Sequence, residues 1–217
     1  MKKYKLVCFD LDGTLVDNLS FSWQLFHDYF QTDKDKREHA KKAFHGGRIT
    51  YFQWAEHDIG LWKEKNARKE DFFKAVKHLQ LMNGAMETLT CLKKKGLKLA
   101  IVSGSLNVVL EGVMPNYGEF FDDVFLSRIH FGRDGSISRV DVTEFDLDGK
   151  AQALKIIAKR EKISLNECVF VGDYINDVKI MQEAGLGIAF NCRHEELMKV
   201  ADVVIEKKDL REILKYV

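Results

Sequence analysis

Cys8-Phe9-Asp10-Leu11-Asp12-Gly13-Thr14-Leu15-Val16 decides how the rest of this chain is read. Apolar residues from Leu6 to Phe9 lead into two carboxylates spaced i and i+2, with Gly13 and Thr14 directly after them. Side chains two apart on a strand share a face. Two acids so placed at a strand's carboxyl end repel unless something positive lies between them, and a divalent cation taking only oxygen ligands, Mg²⁺, is the natural candidate. One carboxylate can then act as a nucleophile while its neighbour moves protons. The pattern is short, and a loop in which the acids serve as caps accounts for it equally well.

The same grammar recurs downstream. Apolar runs at residues 5–9, 98–102, 169–171 and 186–190 each end in a polar or glycine-bearing turn. Continuous apolar strands indicate a parallel sheet covered on both faces. Helical segments at 85–95, 150–161 and 175–184, the first and last followed by Gly96 and Gly185, complete a βαβ alternation. Asp134-Gly135 lies between short alternating runs and predicts a hairpin within 125–142. From about 17 to 82 there is no convincing strand; aromatics such as Phe21, Trp23, Phe44, Trp54, Trp62 and Phe72 recur at helical intervals among charges. The expected fold is α/β, a doubly wound parallel sheet built from residues 1–16 and 83–217, with a small helical insert at 17–82. The charges between Thr32 and Lys42 read as a solvated helix face.

Bulk properties narrow the class. The chain has 217 residues, 46% hydrophobic and 31% charged, with 34 basic against 33 acidic side chains. That is a globular composition with no overall attraction to nucleic acid or anionic membrane. Cys8, Cys91, Cys168 and Cys192 lie far apart and match no metal spacing. The N-terminus carries no apolar stretch of signal-peptide type, and a cytoplasmic protein is expected, as a monomer or homodimer, with no nucleic-acid or membrane partner.

Three further clusters carry chemistry. Ser103-Gly104-Ser105 follows Leu99-Ala100-Ile101-Val102, where a hydroxyl and free N–H groups can cradle an anion; a helix cap is the competing use of one serine. Lys150, after Asp148-Gly149, opens a helix against its dipole, as a lysine aimed at phosphate would, though a solvated lysine also fits. Gly172-Asp173-Tyr174-Ile175-Asn176-Asp177 follows Val169-Phe170-Val171 and offers two acids able to share a cation, with Asp177 placed to brace the lysine or a ligand.

In this order and context the four elements resemble the haloacid dehalogenase superfamily, and within it the phosphoserine phosphatase group. The resemblance covers roughly residues 1–16 and 83–217, and the insert falls where that superfamily places a helical cap. It implies a phosphomonoesterase acting on a small phosphorylated metabolite. Asp10 would be the nucleophile, forming an aspartyl-phosphate, and Asp12 the general acid and base. Ser103, Gly104 and Lys150 would hold the phosphoryl oxygens, and Asn176 would face the substrate. Asp10, Asp12 through its carbonyl, and Asp173 would ligate Mg²⁺, with Asp177 in support. The chain departs from that group in three places: Leu19 stands where a substrate-facing glutamate is usual, Gly13 where a serine is usual, and Asp58 near the usual cap arginine, for which Arg48 or Arg68 are the candidate substitutes. Phosphoserine is therefore one candidate substrate among others. A phosphomutase on the same site, or a non-enzymatic phospho-acceptor domain, are the alternatives.

Overall fold

The computed structural model describes residues 4–146 and 149–217. In chain order the strands are β1 (Leu6–Phe9), β2 (Val16–Asp17), β3 (Gln80–Leu81), β4 (Lys98–Leu106), β5 (Asp123–Phe131), β6 (Ile137–Asp141), β7 (Cys168–Gly172), β8 (Leu186–Phe190) and β9 (Val203–Ile205). The helices are α1 (Ser22–Phe30), α2 (Lys34–His45), α3 (Tyr51–Glu64), α4 (Lys69–Val76), α5 (Ala85–Lys94), α6 (Asn107–Val113), α7 (Lys150–Glu161), α8 (Val178–Glu183) and α9 (Glu195–Val200).

Seven of these strands form one sheet in the order β6-β5-β4-β1-β7-β8-β9. All neighbours are parallel except β5 and β6, the hairpin expected around Asp134-Gly135. The four apolar runs became β1, β4, β7 and β8. Strand alternation sorts their residues onto two faces. Val7, Phe9, Leu99, Ile101, Val169 and Val171 pack with α5 and α6. Leu6, Cys8, Ala100, Val102, Cys168 and Phe170 pack with Leu154 and Ile157 of α7 and with Ile180 and Met181 of α8. Both faces are covered, which is why the runs are apolar throughout. From β1 the chain winds outward through β4 and β5, then returns through β7 to the other side. The carboxyl end of β1 is thus the switch point, where open α/β sheets bind ligands. The sequence reading did not foresee β9, or β5 at its full length.

Helices α1 to α4 all lie between β2 and β3, two-residue strands that pair antiparallel, Val16 with Leu81 and Asp17 with Gln80. Phe26, Trp62 and Phe72 are fully buried at the centre of the insert, their ring centroids 4.8 to 5.8 Å apart. Thr50 and Gln53 close a reciprocal capping box at the start of α3. The charged face of α2 is solvated, as expected, except for Arg37. Its Nε turns inward to 3.7 Å from Asp58, which also sits 3.1 Å from His27 Nε2.

Burial lowers the His27 pKa, with the adjacent Arg37 adding to the effect and Asp58 and Asp28 opposing it. The folded ring therefore stays neutral to lower pH than the ring in an unfolded chain, near 6.5. As pH falls through that value the unfolded state gains a proton that the folded state refuses, so this contribution to stability is lost towards acid. Urea midpoints at pH 7.5 and 5.5 should show a larger acid loss for the parent than for His27→Gln; equal losses would remove the assignment.

Gly185 follows the last helical turn as the sequence implied, but not as a left-handed cap. Ala184 is extended there, and a Cβ at position 185 would lie 2.2 Å from the Asn166 carbonyl oxygen. Gly185→Ala should cost about 1–3 kcal/mol in chemical denaturation, and a neutral effect would show that the chain can move apart at this crossing.

Candidate active site

Asp10 stands one residue past β1, its N–H donating to Val171 O of β7 at 2.9 Å. Because Phe9 pairs with Val171, the ends of β1 and β7 lie side by side, which brings Asp10 next to Asp173 and Asp177. Lys150, the first residue of α7, reaches between them. Its Nζ is 2.9 Å from Asp10 Oδ2 and 2.7 Å from Asp177 Oδ1, and the side chain is fully buried. Burial alone would push this ammonium's pKa down, but Asp10, Asp177 and Asp146 together outweigh it and hold it above the ordinary lysine value. The solvated-lysine reading of Lys150 is thus excluded. Asp148, which precedes this turn in the sequence, lies outside the described residues.

One oxygen each from Asp10, Asp173 and Asp177 fall within 4.8 Å of one another. Burial raises the Asp173 carboxyl to about 8, with Asp10 and Asp177 adding repulsion. It raises Asp177 to about 7, with Lys150 opposing the shift and Asp10 adding to it. Carboxylates so crowded call for positive charge, and an all-oxygen set suits a hard divalent ion. Thr14 Oγ1 donates to Asp173 Oδ1 at 2.8 Å. Asp177 is more fully engaged: Oδ2 accepts the N–H groups of Asp173 and Tyr174 at 3.0 and 3.1 Å, while Oδ1 faces the lysine. Gly13 has φ +77°, and a Cβ there would lie 2.2 Å from Asp173 Oδ2, so a glycine suits this turn.

Asp12 points elsewhere. Its Oδ1 accepts from Ser105 Oγ and its Oδ2 from Ser22 N, both at 2.7 Å. Burial raises its carboxyl to about 6, partly offset by the Ser105 hydrogen bond. That value leaves it able to give and take a proton near neutrality. Neither Ser103 nor Ser105 caps a helix. β4 runs through both, and α6 starts after Leu106 with no side-chain cap, so the capping alternative fails.

A cavity of about 840 Å³ opens over these groups, with Asp10, Asp12, Ser103, Gly104 and Asn176 in its wall. Sequence reasoning missed Asp146, which no motif marks. It accepts from Tyr51 Oη at 3.0 Å and from Asn176 Nδ2 at 2.9 Å, and lies so close to Gly104 that a Cβ there would meet it at 2.2 Å. Ser22 and Tyr51 were missed as well, and Ser105, read only as part of the Ser103-Gly104-Ser105 turn, was not linked to Asp12. Arg48 is exposed and Arg68 pairs with Asp134 at the hairpin turn; neither lines this cavity.

Paired strand-end aspartates and a buried lysine at the switch point of a doubly wound sheet suit phosphoryl transfer. The haloacid dehalogenase-like hydrolase family matches residues 4–185. A phosphoserine phosphatase of Methanocaldococcus jannaschii is 34% identical, with 100% of this chain and 99% of that protein covered. A solved structure of a phospho-aspartyl intermediate analogue of phosphoserine phosphatase superposes with TM-score 0.77 at 33% identity, and a substrate-bound phosphoserine phosphatase complex with 0.78 at 32%, each covering 100% of both chains. The chain belongs to the haloacid dehalogenase-like hydrolases, on their phosphoserine phosphatase-like side, and is a phosphatase. This bears out the resemblance over the mutase and phospho-acceptor alternatives.

Replacing Lys150 by methionine would leave Asp10 and Asp177 buried without their ammonium. Lys150→Met should lose about 3–5 kcal/mol of stability in urea unfolding, whereas a loss under about 1 kcal/mol would show that the carboxylates do not depend on it.

Proposed function

We propose that this phosphatase hydrolyses a small phosphomonoester by way of an aspartyl-phosphate on Asp10, with residues 17–82 acting as a cap over the site. The observation that carries the reading is the split in surroundings between Asp10 and Asp12. Asp10 lies against Lys150 and the acid cluster; Asp12, two residues on, is held apart by Ser105 and Ser22 with its carboxyl raised to about 6.

An Asp10 oxygen attacks phosphorus and forms a P–O bond as the ester P–O bond breaks, its electron pair leaving on the alcohol oxygen. Asp12 gives that oxygen its proton. Water then attacks phosphorus, Asp12 takes the water's proton, and the Asp10–phosphorus bond breaks to return the carboxylate. One ester and one water become one alcohol and one phosphate. Lys150 neutralises charge beside Asp10, while the Ser103 hydroxyl and the Gly104 backbone face the phosphoryl oxygens. Asn176 faces the substrate. Asp10, Asp173 and the Asp12 backbone carbonyl are the groups we assign to Mg²⁺, with Asp177 bracing Asp173 and Lys150. The ion, when bound, supplies positive charge opposite the phosphoryl oxygens.

Phosphoserine, for which those relatives are named, carries an ammonium and a carboxylate that each need a partner once desolvated. Leu19 is 5% exposed and packs into the apolar core, and Asp58 is 2% exposed beside His27 and Arg37. The positions where a phosphoserine enzyme would hold those charges offer nothing here. We also assign the protein to the cytoplasm, in keeping with the unpaired Cys8, Cys91, Cys168 and Cys192. No helix among the described residues is long and apolar enough to cross a membrane.

Phosphate release from p-nitrophenyl phosphate should need added Mg²⁺, stop with EDTA and return on Mg²⁺ excess. Asp10→Asn should lower kcat by a factor on the order of 10³ or more. Turnover by Asp10→Asn at the parent rate would sink the assigned nucleophile.

A further inference from the structure

The cavity over Asp10 has an aromatic wall on the side of the insert. Phe44 and Trp54 stack with centroids 4.8 Å apart and planes at 23°, and Tyr51 meets Trp54 edge-on at 6.3 Å. Phe21 stands at the start of α1, and Tyr174 and Ile175 face in from the core. Phe21, Tyr174 and Ile175 are 39%, 44% and 41% exposed, among the most exposed large apolar side chains of the protein, and all three line this one cavity. Exposed apolar surface gathered in a concave site beside convergent polar groups is a mark of an apolar ligand body.

Charge is arranged to match. The lysines bordering the cavity, Lys41, Lys179 and Lys199, are all exposed, so none offers a desolvated partner to a substrate carboxylate. Asp146 already accepts hydrogen bonds from Tyr51 and Asn176. Burial and Asp146 both push the Tyr51 hydroxyl's pKa up, which keeps it a neutral donor. The volume of about 840 Å³ far exceeds what a three-carbon amino acid fills.

Resting on the phosphatase reading above, we propose that the alcohol this enzyme releases has a flat, uncharged aromatic body, received between Trp54 and Phe21 of the insert and Tyr174 of the core. The substrate class is the monophosphate ester of an aromatic alcohol. The phosphate sits at Asp10 and Ser103, and the ring body covers apolar surface that is otherwise wet. Each stacked ring adds binding energy remote from the reacting bond, which can be used to lower the barrier.

The test compares esters of similarly unreactive alcohols, so that leaving-group chemistry does not decide the outcome: 2-phenylethyl phosphate, O-phosphoserine and phosphocholine, with p-nitrophenyl phosphate as an activated control. The parent should favour 2-phenylethyl phosphate in kcat/KM by on the order of 100-fold over both charged esters. Phe21→Ala, at an exposed position where folding is little at risk, should cut that ratio about tenfold, and Trp54→Ala should cut it further. Equal or better turnover of phosphoserine overturns the proposal in favour of a zwitterion site. Preference for phosphocholine overturns it in favour of an aromatic cage for a cation. An unchanged ratio in both variants removes the rings from specificity. If even p-nitrophenyl phosphate is not hydrolysed with Mg²⁺, the phosphatase reading fails first and takes this one with it.

Discussion

The buried ammonium of Lys150 is the constraint on which the site depends. Asp10, Asp173 and Asp177 are pressed together by the adjacency of β1 and β7, and in an apolar setting like charges at that range oppose folding. A lysine on a surface loop would stay hydrated and contribute little. Lys150 escapes this because α7 starts beneath the carboxyl edge of the sheet, packed through Ala153, Leu154 and Ile157 against the strands. The packing holds the helix, the helix holds the lysine, and the lysine lets three acids share one corner. Position at the first helical residue is unfavourable to a cation by dipole alone; two carboxylates within 3 Å more than compensate.

The opposite treatment of Asp12 follows from the same geometry. Residues i and i+2 share a face only while the strand continues, and β1 stops at Phe9. Past that point the chain turns through Gly13, and Asp12 is taken up by groups from elsewhere: Ser105 of β4 and the first N–H of α1. Two acids alike in sequence thus acquire different surroundings, the arrangement by which a nucleophile and a proton carrier are told apart. Since Ser22 belongs to the insert, Asp12 is tied to the element that stands over the cavity. Trp23 adds a second tie, donating from Nε1 to Gly104 O at 3.0 Å.

What could be read in the sequence was whatever a run of residues states locally. β1, β4, β7 and β8 are apolar because both sheet faces are covered, and Asp10, Asp12, Ser103, Asp173 and Asp177 stand just past those runs, where the fold must deliver them, while Lys150 stands at the start of α7. β9 spans three residues and β2 and β3 two each, too short for any period to show. β5 is partly solvated and carries Asp123, Arg128 and His130, so it lacked the signature of its neighbours. Asp146 escaped notice because its meaning is wholly tertiary: Tyr51 lies 95 residues away and Asn176 lies 30. Arg37 shows the same limit from the other side. Amid a run of helix-surface charges, only the fold turns it towards a buried acid.

That buried acid bears on how reaction and specificity are divided. Asp58 is not a bare loss of an arginine. It sits in the core of the insert with His27 and Arg37 gathered around it, and His27 in turn contacts Thr32 at 2.6 Å and packs on Trp62. A carboxylate this enclosed is committed to structure, since pulling it towards a ligand would strand the His27 ring and the Arg37 guanidinium that face it. With Leu19 likewise committed to the core, the insert has spent both positions on its own stability. Towards the cavity it presents instead Phe21, Phe44, Tyr51 and Trp54. The acid cluster and Lys150 are built on the sheet, and the insert reaches this corner through Ser22 to Asp12 and Ser105, Trp23 to Gly104 and Tyr51 to Asp146. The fold can thus keep one acid cluster at the edge of the sheet while the insert changes what stands over it.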